Sequence, residues 1–265
     1  MSKTLTDITI ITVCYNAKKQ IKSTIESVLS QNYPSIEYIV IDGASTDGTV
    51  DCIKQYGNRI SKFISEKDNG IFDAMNKGID KANGKWILFL NAGDVLFSQN
   101  VISNVFKDKN YKSEIIFGDT LNRYDWGYVL WEGKPFKGVE PRLPFCHQSV
   151  FVRRDLLLNN KFDLSYRFGA DHKQLYTLYL NGHLFEHVDS IVSVFDTTGV
   201  SSYNIHGYKE ICRANNYGKV KFFFMSFFFM IKVCLFKITP NLIIDKYRYF
   251  KYKKKGLIYH LNTED

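Results

Sequence analysis

The first ninety residues alternate between two hydrophobic rhythms. Residues 8–13 form a short β-branched run, the mark of a buried strand. Ile21, Ile25, Val28 and Leu29 then recur at helical spacing, with Asn16 placed to cap that helix. Residues 36–41 predict a second strand. The turn-rich stretch 43–48 follows, then a helix through Ile53 for which Asp47 reads as a cap. A third strand is expected over 60–65. Ile71, Ala74, Met75, Gly78, Ile79 and Ala82 mark one helix face ending near Asn83-Gly84, and 86–90 is a fourth strand. Strand and helix alternating at this spacing predict an α/β fold. It would have a mostly parallel, Rossmann-like sheet, right-handed crossovers and helices on both faces.

The second half is less regular. Strands are expected at 115–117, 128–131 and 191–195, and helices at 153–158 and 171–180, with Gly and Pro between them. These elements extend one mixed α/β domain over residues 1–218 and leave 219–265 as a tail.

Composition changes the picture mainly at that tail. The chain of 265 residues carries a formal net charge of +8. Residues 219–265 hold 10 Lys/Arg against 3 Asp/Glu, so the domain before them is nearly neutral. A nucleic-acid groove across the main domain is therefore not expected. Five cysteines without a CxxC pair suggest neither a zinc knuckle nor a disulfide framework, and they fit a reducing cytoplasm. The run 8–13 is too short for a signal-peptide core and Asp7 precedes it, so no signal peptide is expected.

Residues 222–236 are rich in Phe; as a helix they would span about 22 Å, short of a ~30 Å bilayer core. Lys219, Lys221, Lys237, Lys246, Arg248, Lys251, Lys253, Lys254 and Lys255 flank or follow them. That pattern fits helices lying on an anionic membrane surface; a helix packed on the domain is the plainer alternative.

Ligands of open α/β sheets bind outside the carboxyl ends of the strands. The first strand ends in Cys14-Tyr15-Asn16, the second in Asp42-Gly43, the third in Glu66-Lys67-Asp68-Asn69-Gly70 and the fourth in Asn91-Ala92-Gly93-Asp94. Three of the four ends are acidic, and such a cluster repels itself unless a cation or a ring of donors offsets it. A divalent metal bridging a diphosphate would supply that offset. Neither GxGxxG after the first strand nor GxxxxGK[ST] is present, so dinucleotide and P-loop readings are poor.

The stretches ITVCYN, VIDGASTDGT, SEKDNGIFDAMNKG and LFLNAGD, in this order, resemble the nucleotide-binding half of family 2 glycosyltransferases of the GT-A fold. The likeness continues more loosely through CHQSVFVRRDLL and FGADHKQLYTLYLNG. It implies an inverting enzyme that moves a sugar from a nucleotide diphosphate, UDP being the expected nucleotide. The acceptor would be a glycan or a polyprenyl-diphosphate-linked glycan in surface polysaccharide biosynthesis, at the cytoplasmic face of the inner membrane. Asp42 would bond base or ribose, with Asp68 opposite; Thr12, Tyr15, Asn16 and Asn91 would complete the nucleotide-sugar site. Asp171 would be the general base. A divalent cation (Mn2+ or Mg2+) would arrive with the diphosphate, near Asp94 and His147.

One departure stands out. The family's D-x-D reads Asn91-Ala92-Gly93 here, leaving Asp94 as the nearest carboxylate. The resemblance therefore implies weak metal binding without the diphosphate. Plainer roles remain open: Asp42 and Asp68 as turn residues, Asp94 and Asp171 as helix-terminal acids, and His147 as a structural histidine. A degenerate, non-catalytic nucleotide-sugar binder would explain the altered D-x-D. A sugar nucleotidyltransferase would share the layout but wants a basic, Gly-rich loop after the first strand, which Cys14-Tyr15-Asn16-Ala17 is not.

Overall fold

The computed structural model describes residues 7–138, 142–197, 205–217, 239 and 241–260. The expected β-branched run is strand β1 (Ile8–Cys14), buried along its whole length. It lies between β2 (Ile36–Asp42) and β4 (Trp86–Phe89), both parallel to it, and β3 (Lys62–Ser65) adds a further parallel strand beyond β2. A strand flanked on both edges and covered on both faces has no solvent side, which is why its sequence is continuously apolar rather than alternating.

Alternate residues of β1 feed two cores. Ile11 and Val13 join Phe72, Met75 and Ile79 of α3 (Ile71–Lys81) on one face. Ile8, Ile10 and Cys14 join Ile21, Ile25 and Val28 of α1 (Ile21–Leu29) on the other. The short α2 (Thr49–Lys54) follows the turn after β2; its N-cap position is Gly48, without a capping side chain, and Asp47 braces the turn before it by accepting the Thr49 N–H at 3.0 Å. Asn16 does not cap α1. That helix starts after Gln20, and Asn16 sits at φ 49° with its side chain turned to another loop.

Beyond β4 the sheet turns antiparallel and regular elements appear where the sequence showed little pattern. Strand β5 (Val95–Leu96) and helix α4 (Val101–Phe106) precede β6 (Ile115–Tyr124) and β7 (Gly127–Trp131). Then come β8 (Val150–Arg153), α5 (Arg154–Asn159), α6 (Ala170–Leu180), β9 (Phe185–Asp196) and α7 (Ile205–Ala214). The hydrogen-bonded order runs β7-β6-β8-β4-β1-β2-β3, with β9 parallel to β6 and antiparallel to β5. Strands β6 and β9 are much longer than expected because their outer halves pair with each other in a register broken by bulges.

The boundary expected at residue 218 and the Phe-rich run 222–236 lie outside the described residues. Helix α8 (Asn241–Lys254) and strand β10 (Ile258–Tyr259) follow, and β10 pairs antiparallel with β7 at the sheet edge. Among the described residues no helix is long and apolar enough to cross a membrane.

Candidate functional site

Two corners form at the carboxyl ends of the parallel strands. The first surrounds the end of β1. Burial, and next the negative charge of Asp42, push the Cys14 thiol far above its ordinary range; Asp47 and Asp68 contribute in the same direction. Acids from two strand ends, Asp42 and Asp47 after β2 and Asp68 after β3, are thus gathered around one residue.

They are used differently. Asp42 is fully buried, and its oxygens accept the backbone N–H and the hydroxyl of Ser45 and the hydroxyl of Ser65, at 2.7 Å for the last. Its carboxylate organises the loop beneath the site. Asp68 is half-buried; Oδ1 accepts the Gly70 N–H at 2.9 Å. Its Oδ2 presses so closely on Gly43 that a Cβ there would lie 2.4 Å away, and the same Cβ would meet the Tyr15 ring at 3.4 Å. Tyr15, Gly43 and Asp68 therefore make one wall, with Tyr15 64% exposed. Such a wall, an open aromatic face beside a carboxylate, suits a base or ribose.

Asn16 braces this corner. Its backbone N–H donates to Ser45 Oγ at 2.7 Å and its Oδ1 accepts the Thr46 N–H at 2.9 Å, so it ties the β1 loop to the β2 loop. Thr12 is placed elsewhere than expected. Its side chain is fully buried and accepts the Tyr38 hydroxyl at 3.0 Å, inside the core shared with α1. The two-residue period puts it on the face of Ile10 and Cys14, toward α1, where the Tyr38 hydroxyl occupies its side chain.

The second corner is the loop 91–94, tied to the first by the Ala92 N–H, which donates to the Val13 carbonyl at 3.2 Å. Gly93 takes φ 107° and makes the tight turn; the Asp94 N–H donates back to the Asn91 carbonyl. Asp94 is 4% exposed. Burial pushes its carboxyl up to about 7, opposed by the Asp196 N–H that it accepts at 2.9 Å and by a Gln148 side-chain bond. Arg123 pairs with Asp196 at 2.8 Å and reaches the Gly93 carbonyl at 3.5 Å.

Asp171 stands in the first turn of α6, where it accepts the His172 N–H at 2.8 Å. It shares surroundings with Asp94. Burial and then the Asp94 charge push the Cys146 thiol up to about 12, with Asp171 adding to the same shift. His147 lies in a short 3-10 turn rather than on a strand, stacked 5.5 Å from the Phe89 ring and edge-on to Phe162. Burial holds its imidazole below the usual range and Asp171 only partly offsets this. The ring is therefore a packed one, and burial disfavours its charged form.

Among the described residues no three His, Cys, Asp or Glu side chains group as a metal cage. The Asn91 Oδ1 is nevertheless a buried acceptor without a hydrogen-bond partner, beside a carboxyl that burial keeps hard to ionise. Such a donor set fits a cation that brings most of its own ligands, as Mg2+ does with phosphates and water. Arg123, Asp196 and Gln148 were not anticipated. Gln148 lies within a family-like stretch, but Arg123 and Asp196 reach the site only through the long-range pairing of β6 and β9.

The model of the family described as "Glycosyl transferase family 2" matches residues 9–159. A PGL/p-HBAD biosynthesis glycosyltransferase of Mycobacterium bovis is 29% identical over 171 residues, covering 61% of this chain and 65% of that protein. A putative teichuronic acid biosynthesis glycosyltransferase of Bacillus subtilis, TuaG, is 39% identical over 90 residues, 33% of this chain and 36% of that one. Among solved structures, S. aureus TarS 1-349 with UDP-GlcNAc superposes with a TM-score of 0.63 at 19% identity, over 79% of this chain and 65% of that one. The mannosyltransferase PcManGT of Pyrobaculum calidifontis, solved with GDP-Man and Mn2+, gives 0.60 at 16% identity, over 80% and 65%. The matched part thus spans just under two thirds of the mycobacterial relative and of both structures. At these identities the structural likeness shows a shared fold.

Proposed function

Since the chain belongs to glycosyl transferase family 2, we propose that it transfers a sugar from a nucleotide diphosphate, UDP in the first instance, with inversion at the anomeric carbon. The observation that carries this reading is the gathering of Tyr15, Asp68 and the loop 91–94 along one edge of the parallel strands, with Asp94 and Asp171 both acting on Cys146.

In this reading the nucleoside lies against Tyr15, and Asp68 Oδ2 accepts from base or ribose. Asp42 and Asn16 hold the two loops that shape this wall. The diphosphate lies over the loop 91–94, where Asn91 Oδ1 and Asp94 would hold a divalent cation together with it; bound there, the cation offsets charge on the departing diphosphate. Asp171 takes the proton from the acceptor hydroxyl as that oxygen attacks opposite the leaving diphosphate. Carboxylates on both sides of the reacting carbon divide the labour between leaving group and nucleophile. Relatives named for PGL/p-HBAD and teichuronic acid biosynthesis, together with the basic tail, support a glycan or polyprenyl-diphosphate-linked acceptor at a membrane surface.

The test is thermal unfolding of the chain with UDP, with and without Mn2+, followed by turnover of a panel of UDP-sugars. Saturation at a hundred times Kd would add about 2.7 kcal/mol, roughly 5–10 °C for a chain this size. Stabilisation without any turnover would leave a nucleotide-sugar binder; no stabilisation by UDP, GDP or their sugars would remove the reading.

A further inference from the structure

Helix α8 divides its side chains between two faces. The inner face packs on the β6–β7 hairpin. Tyr249 meets Trp126 edge-on at 5.6 Å, Tyr252 lies 6.3 Å from Tyr124, and the Arg248 guanidinium stands over Tyr124 at 5.6 Å. Ile244 is buried, and Asp245 is engaged by Arg248 at 3.3 Å. With β10 stitched to β7, the helix is fixed to the edge of the sheet.

The outer face is a stripe. Ile243, Tyr247 and Phe250 follow at i, i+4 and i+7 and are 55%, 61% and 65% exposed. Lysines rim it. At 100° per residue Lys246 and Lys253 fall on one flank, Lys251 on the other and Lys254 in line with the stripe, all of them exposed. Lys253 and Lys251 lean over Tyr249 and Tyr252, which marks the two flanks. Asp245, the helix's one acidic residue, belongs to the inner face. An apolar stripe with a Tyr at its centre and a rim of one sign fits a plane of anionic headgroups over acyl chain.

The helix also reaches the site through one strand end. Tyr124, which α8 grips, follows Arg123, and Arg123 pairs with Asp196 and touches the carbonyl of Gly93. We infer that the outer face of α8 docks on an anionic lipid surface and holds the loop 91–94 close to it. This deepens the proposed membrane-presented acceptor and rests on that reading for its purpose, while the docking face rests on α8 alone.

The experiment is co-sedimentation of the full chain with phosphatidylcholine vesicles, with and without phosphatidylglycerol, at low salt. It compares the wild type with Tyr247→Ser/Phe250→Ser and with Lys246→Gln/Lys254→Gln. The wild type is expected to bind the anionic vesicles, and each double variant to bind them about tenfold or more weakly. Stabilisation by UDP and hydrolysis of UDP-sugar in solution should stay unchanged in both, which checks that the variants fold. If the wild type binds and both variants bind equally well, α8 is not the docking face, though the membrane reading survives. If the wild type ignores anionic vesicles, both the inference and the membrane-presented acceptor fall, and the donor reading stands on the UDP measurement.

Discussion

Asp94 and Asp196 are 102 residues apart in sequence, yet Asp94 Oδ1 accepts the Asp196 backbone N–H at 2.9 Å. This bond carries the β5–β9 pairing one step further, into the loop after β4. Arg123 takes the Asp196 side chain, and the Gln148 side chain also bonds the Asp94 carboxyl. A cation shared with the diphosphate would find this carboxyl and the unpartnered Asn91 Oδ1. Replacing both, Asn91→Ala with Asp94→Asn, should leave stabilisation by UDP alone intact and remove most of the extra stabilisation from Mn2+. Calorimetric titration of UDP with and without the metal decides it; an unchanged metal increment would place the cation elsewhere.

The Asp171→Asn variant keeps the size of the side chain and loses its basicity. Transfer should fall by about 10²–10⁴ while UDP affinity stays put, since Asp171 belongs to the acceptor side. Near-normal turnover would take the base assignment away.

Two glycines separate site from scaffold. A Cβ on Gly43 would collide at 2.4 Å with Asp68 Oδ2, the free end of a side chain that can swing aside. Gly43→Ala should therefore change stability by less than ~0.5 kcal/mol and weaken UDP binding about tenfold. A Cβ on Gly84 would strike the backbone of Ile8 and Thr9 at 2.6 and 2.5 Å. Backbone between two paired strands cannot swing, so Gly84→Ala should cost roughly 1–3 kcal/mol. Urea titrations of both variants beside UDP binding make the comparison.

Glu37 is a nearly buried carboxylate. Burial alone would raise its pKa, but hydrogen bonds from Lys62, Thr9 and Asn83, the first at 2.8 Å, outweigh it and the pKa ends below its ordinary 4.5. Stability from a depressed acid is present above the unfolded pKa and is lost as pH falls through the folded one. Glu37→Gln should thus destabilise by about 1–3 kcal/mol at pH 7, and the gap should narrow as the pH falls below the ordinary 4.5. Urea denaturation at pH 7, 5 and 3.5 would show it; a gap independent of pH would mean that the charge is not what matters.

The nucleotide corner was legible in the chain because its parts are local. Each of β1 to β4 announces itself by a run or a helix-spaced neighbour, and the loops that follow carry Tyr15, Asp42, Asp68 and Asn91 to one edge by the geometry of parallel strands. What a one-dimensional pattern leaves open is which way a side chain at a strand end turns. Both Thr12 and Asp42 lie on the expected strands, yet the Thr12 side chain lies in the core and the Asp42 carboxylate is taken up by Ser45 and Ser65.

The sequence by itself determined the sheet's parallel half, the acidic strand ends and the altered loop Asn91-Ala92-Gly93-Asp94, since all of these depend on residues near one another along the chain. Tertiary structure alone decided the surroundings of Asp94, the aromatic setting of His147 and the division of α8 into a packed face and a bare one. Those depend on Arg123, Asp196, Phe162 and Trp126, brought in by strand pairing and helix packing, in the case of Asp94 and Asp196 across 102 residues. Burial and charge at a site are sums over such neighbours, and no local spacing records them.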